Sequence, residues 1–132
     1  MQTGKLIVAI ASLTAGQRKS IRAAAMRHGL EALFFERDTD ALPYAADAEI
    51  VFAQSVLLAK NTPRLRWLCT PSAGVNQFAA PGVFVSKEAV LSNSSGAYGV
   101  TIAEHIVMVT LELMRRQQAY TPPLRIWVRG VP

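Results

Sequence analysis

Arg66-Trp67-Leu68-Cys69-Thr70-Pro71-Ser72-Ala73-Gly74-Val75-Asn76-Gln77-Phe78, with its counterpart Val90-Leu91-Ser92-Asn93-Ser94-Ser95-Gly96-Ala97-Tyr98-Gly99, decides the fold. Two strand-like runs, Trp67 to Thr70 and Val90 to Asn93, each deliver the chain into a loop of small polar residues and glycine. Such loops expose backbone N–H groups at strand ends, where open α/β sheets bind their ligands.

Moving outward, Lys5 to Ile10 is a short β-rich apolar run of the kind buried on both faces of a parallel sheet. Thr14 followed three residues later by Gln17 forms a capping-box pattern and Gly29 supplies a stop, so a helix is expected over Ala15 to His28. Within it Ile21, Ala24, Ala25 and His28 share a stripe. Leu30 to Phe35 and Ile50 to Ala53 are further strand candidates, separated by a helical turn around Leu42 to Ala46. Val56 to Lys60 reads as a short helix before Pro63, and Val83 to Val85 as extended. A long helix is expected over 99–118. Strands alternating with helices imply a parallel sheet of about five strands with right-handed crossovers; the flavodoxin-like order 2-1-3-4-5 is expected, although alternation alone does not fix it.

The long helix carries two neighbouring apolar stripes: Val100, Ala103, Val107, Leu111 and Met114, and beside them Ile102, Ile106, Val109 and Leu113. A helix apolar around most of its circumference needs cover from more than one sheet face, by a second domain or a second subunit.

Composition removes several classes. At 132 residues the chain suffices for one core. No apolar run reaches the roughly 18 residues of a membrane span, and no signal-peptide pattern opens the chain, so a cytoplasmic protein without membrane partners is expected. Cys69 is the sole cysteine, which excludes an intrachain disulfide, and its apolar surroundings suggest a buried packing residue. The net charge of +5 is concentrated in Arg115, Arg116, Arg125 and Arg129, all beyond the last acidic residue, Glu112. Basic residues so placed do not make the clustered face of a nucleic-acid binder. No His, Cys, Asp or Glu grouping has metal-ligand spacing.

Ser72-Ala73-Gly74-Val75 could form a small anion nest suited to a carboxylate, or simply a glycine-containing strand-to-helix turn. The loop from Asn93 to Gly99 lacks GxGxxG spacing, although the start of the following helix favours an anion through its free amides and dipole. Glu104 and His105 are adjacent on a helix and point about 100° apart, so they cannot share one proton site.

The run Leu65, Trp67, Ser72 to Asn76, Asn93 to Gly96, Gly99, Ala103-Glu104-His105 and Leu113 to Arg116 resembles the NAD-dependent D-isomer-specific 2-hydroxyacid dehydrogenase family. The likeness is to the N-terminal half of that family's substrate-binding domain; it extends back to Lys5 through element order and fades after Arg116. It implies that Ser72, Ala73, Gly74 and Val75 hold the carboxylate of a small 2-hydroxy or 2-oxo acid. Tyr98, Val100, Thr101 and Ile102 would border the nicotinamide of NAD or NADP. The long helix would then be of the interdomain type and contribute to a homodimer. On this reading 1–118 is a substrate-binding-type α/β domain and 119–132, with Arg125, Ile126 and Trp127, a linker. The family's catalytic histidine, its paired acid and its substrate arginine come from the cofactor domain, whose GxGxxG unit does not occur here. No catalytic residue is therefore expected in this chain, and hydride transfer would belong to the complete enzyme.

The alternative is a non-enzymatic dimerising or small-acid-binding module on the same fold. A response-regulator-like receiver would need acidic residues after the first and third strands, where Ala11-Ser12 and Gln54-Ser55 stand.

Overall fold

The structure is a computed structural model and describes residues 4–120. It divides into two compact units, the first ending at Ser95 and the second beginning at Gly96.

In the first unit β1 (Gly4–Ala9), β2 (Leu30–Phe35), β3 (Ala48–Ala53), β4 (Trp67–Cys69) and β5 (Val90–Ser92) form one sheet in the order β2-β1-β3-β4-β5. Every pairing is parallel. The expected fold and strand order are both observed. Between the strands run α1 (Ala15–Arg27), α2 (Asp38–Ala45), α3 (Val56–Asn61) and a single 3-10 turn, Asn76–Phe78.

Local chemistry sets most boundaries. Thr14 caps α1 through the expected reciprocal pair: Gln17 N donates to Thr14 Oγ1 at 3.2 Å, and Thr14 N donates to Gln17 Oε1 at 2.9 Å. His28 is the C-cap and Gly29, at φ +68°, takes the left-handed position beyond it. Ser55 opens α3 by accepting from Leu58 N.

Three expected elements need correction. The turn at 42–46 is a two-turn helix beginning at Asp38, because Asp38 and Asp40 favour its N-terminal dipole and Pro43 does not break it. Residues 83–85 form no strand: Val83 instead turns inward to the core. The helix over 99–118 is interrupted at Arg115 and Arg116, as described below for the second unit.

One sheet face carries the main core. Ile7, Val51, Ala53 and Leu68 pack with Ala41 and Ala45 of α2 and Leu58 and Ala59 of α3, and Phe78 and Val83 close the end. On the other face α1 packs against β2, with Ala25 its buried residue. Ile50, Phe52, Trp67, Cys69 and Val90 line an open groove of about 950 Å³ beside it, with Ile21, Ala24 and His28 as the α1 wall. Cys69 is consequently half-buried on this open face. The expectation of a fully buried thiol fails because, among the described residues of this unit, no helix covers β4 on the Cys69 face. His28, at the helix end, is exposed.

The second unit consists of α4 (Gly99–Met114) and α5 (Gln117–Tyr120). Arg116 adopts φ +51°, and its N–H turns to Leu113 O, ending α4 with Arg115 as C-cap. Basic side chains there suit the helix C-terminus. No α4 residue is buried, and Val100, Ile102, Ile106, Leu113 and Met114 are all more than half exposed. No described helix is long and apolar enough to cross a membrane. The expected linker lies almost wholly outside the described residues.

Candidate functional site

The C-terminal edge of the sheet gathers the polar groups of the first unit, and its organising centre is Thr70. This residue is fully buried where β4 ends, and its N–H donates to Ser92 O at 2.9 Å, extending the ladder by one rung. Its hydroxyl donates to Ser72 O at 3.0 Å, while Thr70 O accepts from Ser94 Oγ at 3.1 Å. A buried hydroxyl and its carbonyl are thereby satisfied, and the two glycine-bearing loops are joined at their roots.

The loop Ser72 to Val75 is held from both sides through its carbonyls. Ser94 N donates to Ser72 O at 3.3 Å and Asn93 Nδ2 to Ala73 O at 2.8 Å. Gln54 Nε2, at the end of β3, donates to Gly74 O at 2.9 Å, and Phe78 N to Val75 O at 2.9 Å. Four successive carbonyls are thus engaged by the protein. Of the amides, Gly74 N donates to Ser72 Oγ at 3.1 Å, a local turn, while those of Ser72, Ala73 and Val75 have no acceptor among the described residues. Loop amides left free while the carbonyls are tied down make an anion-binding edge. At Gly74 an added Cβ would meet only Ser72 Oγ, at 3.7 Å, so nothing inside the protein demands glycine. Its lack of a side chain leaves those exposed amides uncovered.

A second crevice of about 600 Å³ lies at the ends of β1, β2 and β3, where the strand order changes direction. Glu36, Arg37, Thr39 and Gln54 border it. Ser55 Oγ donates to Asp38 Oδ2 at 2.6 Å and Thr39 N to Asp38 Oδ1 at 2.8 Å, so this carboxylate acts as a structural acceptor. Arg37 donates to both carboxylate oxygens of Asp40; the hydrogen bond, and then the charge of Asp40, raise its pKa above the ordinary value.

The expected cofactor-side residues lie in the second unit. Tyr98 is the N-cap of α4 and offers no side-chain cap; its carbonyl accepts from Ile102 N and from Thr101 Oγ1, the latter at 3.0 Å. Val100 and Thr101 keep their amides free of acceptors among the described residues, as a helix start without a cap does. Gly96, at φ +85°, makes the turn into the helix, and Gly99 N donates to Gly96 O. Tyr98, Val100, Thr101 and Ile102 are all exposed, as are Glu104 and His105. The described residues contain no strand followed by a GxGxxG turn, the sequence feature that cradles a dinucleotide's pyrophosphate. No group of three His, Cys, Asp or Glu among them could hold a metal ion.

Gln54 and Asn93 are the residues that sequence reasoning left without a role. Their position at strand ends on the same sheet edge as the Ser72 to Val75 loop was the available signal, but each reaches a carbonyl 20 positions away.

These features define an open, parallel α/β sheet with a tethered loop of free amides at its C-terminal edge. No protein-family model matches the chain, and no curated protein matches it. Among solved structures, the chain is similar to an NAD-dependent formate dehydrogenase from Staphylococcus aureus, determined in complex with NAD, with a TM-score of 0.62 and 16% sequence identity. The similarity covers 87% of this chain and 40% of that one. At this identity the likeness is one of fold, and the match spans 40% of the length of the dehydrogenase.

Proposed function

We propose that this chain is the N-terminal substrate-binding part of an NAD(P)-dependent D-2-hydroxyacid dehydrogenase. Its task is to hold the carboxylate of a small 2-hydroxy or 2-oxo acid on the amides of Ser72, Ala73 and Val75. The observation that carries this reading is the loop itself: four carbonyls tethered by Ser94, Asn93, Gln54 and Phe78, with the neighbouring amides left to accept an anion. The shared fold with an NAD-dependent dehydrogenase supports it. Tyr98, Val100, Thr101 and Ile102 would border the nicotinamide of NAD or NADP, bound chiefly by a domain outside this chain. Hydride transfer would need that domain for the cofactor and for the proton-transferring group, so the chain alone is inactive.

The test is a titration of the isotope-labelled chain with glyoxylate and with pyruvate, followed by amide NMR. Shifts concentrated at 72–75, lost in Ala73→Pro, support the reading. Unmoved 72–75 resonances at about millimolar acid, where a Kd corresponds to only about 4 kcal/mol, would sink it. Reduction of either acid with NADH by the purified chain would overturn the inactivity.

The exposed apolar surface of α4 favours one addition, a homodimer formed through α4. Sedimentation would show a dimer that Ile106→Glu converts to monomer. Should the chain dimerise without any response to the acids, a non-enzymatic dimerising module becomes the better reading.

A further inference from the structure

One outer edge of the sheet is β2, whose only strand neighbour among the described residues is β1. It pairs in unbroken register, Gly4 with Leu30 through Ala9 with Phe35, without a bulge. Leu-Glu-Ala-Leu-Phe-Phe contains no lysine, arginine or proline, the residues that ordinarily blunt an exposed edge. A regular six-residue edge presents backbone donors and acceptors ready for another strand.

The two flanks of this edge differ in character. On one side, α1 carries Arg18, Lys19, Arg22 and Arg27 with no acidic residue. Arg18 and Arg22 lie over the Phe34 ring, at 5.4 and 5.3 Å from its centroid. At about 100° per residue, Lys19 and Met26 continue that arc away from Ile21, Ala24 and His28. Those three residues line the groove over the sheet's interior, so Lys19 and Met26 face the outer edge. Arg18 is paired with Glu36, but Lys19, Arg22 and Arg27 have no ion-pair partner among the described residues. On the other side, Tyr44 of α2 stacks at 5.3 Å on Phe35 and stays 43% exposed, giving an apolar shoulder.

We propose that the β2 edge takes up an extended peptide segment as a sixth strand, with acidic side chains on the α1 flank and apolar side chains on the Tyr44 flank. Alternation is what a strand supplies, since successive side chains point to opposite faces. The ladder contributes affinity and the two flanks contribute the sequence preference. Charge decides against a second copy of this chain. A two-fold edge pairing would place two α1 helices side by side on one face, turning Lys19 and Arg22 of each toward those of the other.

Fluorescence anisotropy of the whole chain with a labelled peptide of about ten residues, alternating glutamate and valine, tests this. Two control peptides replace glutamate by lysine or valine by proline. The expected result is binding of the glutamate–valine peptide that weakens with salt, falls about tenfold in Lys19→Glu, and protects amides 30–35 from hydrogen exchange. Lys19 is exposed, so the substitution leaves the fold intact. Three results would overturn the proposal: no binding of the acidic peptide, equal binding of the proline peptide, or binding without protection of 30–35. Self-association that protects the same amides would assign the edge to a second copy instead.

Discussion

Gln54 Nε2 donates to Gly74 O across 2.9 Å, tying the end of β3 to the loop that follows β4. With Asn93 donating to Ala73 O from the opposite side, it holds that loop at two consecutive carbonyls. The bond costs the loop its freedom and leaves the neighbouring amides accessible.

Replacing Gln54 by alanine should lower stability by about 0.5–1 kcal/mol, the worth of one exposed hydrogen bond. Its larger effect is local. Amides 72–75 should exchange faster while those of β1 and β3 stay unchanged, which native-state hydrogen exchange reads directly. Uniform exchange across the first unit would show that the tether does not organise the loop.

Thr14→Ala removes the side-chain half of the capping box at α1. The expected loss is about 1 kcal/mol in urea unfolding with an unchanged m-value. Thr14→Ser should recover most of it, since the acceptor oxygen is what the helix start uses.

Gly29 stands at φ +68° with no atom within 4 Å of an added Cβ. Gly29→Ala therefore meets no clash, and any loss comes from the backbone conformation alone, about 1 kcal/mol. Gly99→Ala, with ordinary φ and equally open surroundings, should be neutral or slightly stabilising. The pair separates backbone strain from packing by thermal melts.

Leu68 is fully buried in the core cluster at the middle of β4. Leu68→Ala should cost about 2–5 kcal/mol, a large share of a small domain's stability. Met26→Ala, at a side chain 71% exposed, should lie within about 0.5 kcal/mol of the parent protein. A small loss at Leu68 would contradict the packing described for that sheet face.

Much of the architecture was legible because its signals are local. The Thr14–Gln17 box, Gly29 beyond the helix and the strand runs 30–35 and 50–53 each act over a few residues, whereas the expected order 2-1-3-4-5 was one of several that βα alternation permits. The candidate loop was legible as glycine and small polar residues after a strand. Its tethering was not, because Gln54 and Asn93 act on carbonyls 20 residues distant, and only the sheet brings the strand ends together.

By itself the sequence determined the helix caps, the strands and the apolar character of residues 100–114, since these depend on residue type and short-range spacing. Tertiary structure alone decided that Cys69 is half-buried on an open face and that the carbonyls of Ser72, Ala73 and Gly74 are held by Ser94, Asn93 and Gln54. Burial and hydrogen-bond direction depend on which segments become neighbours, and that choice is made by the sum of long-range packing, not by any residue and its next few companions.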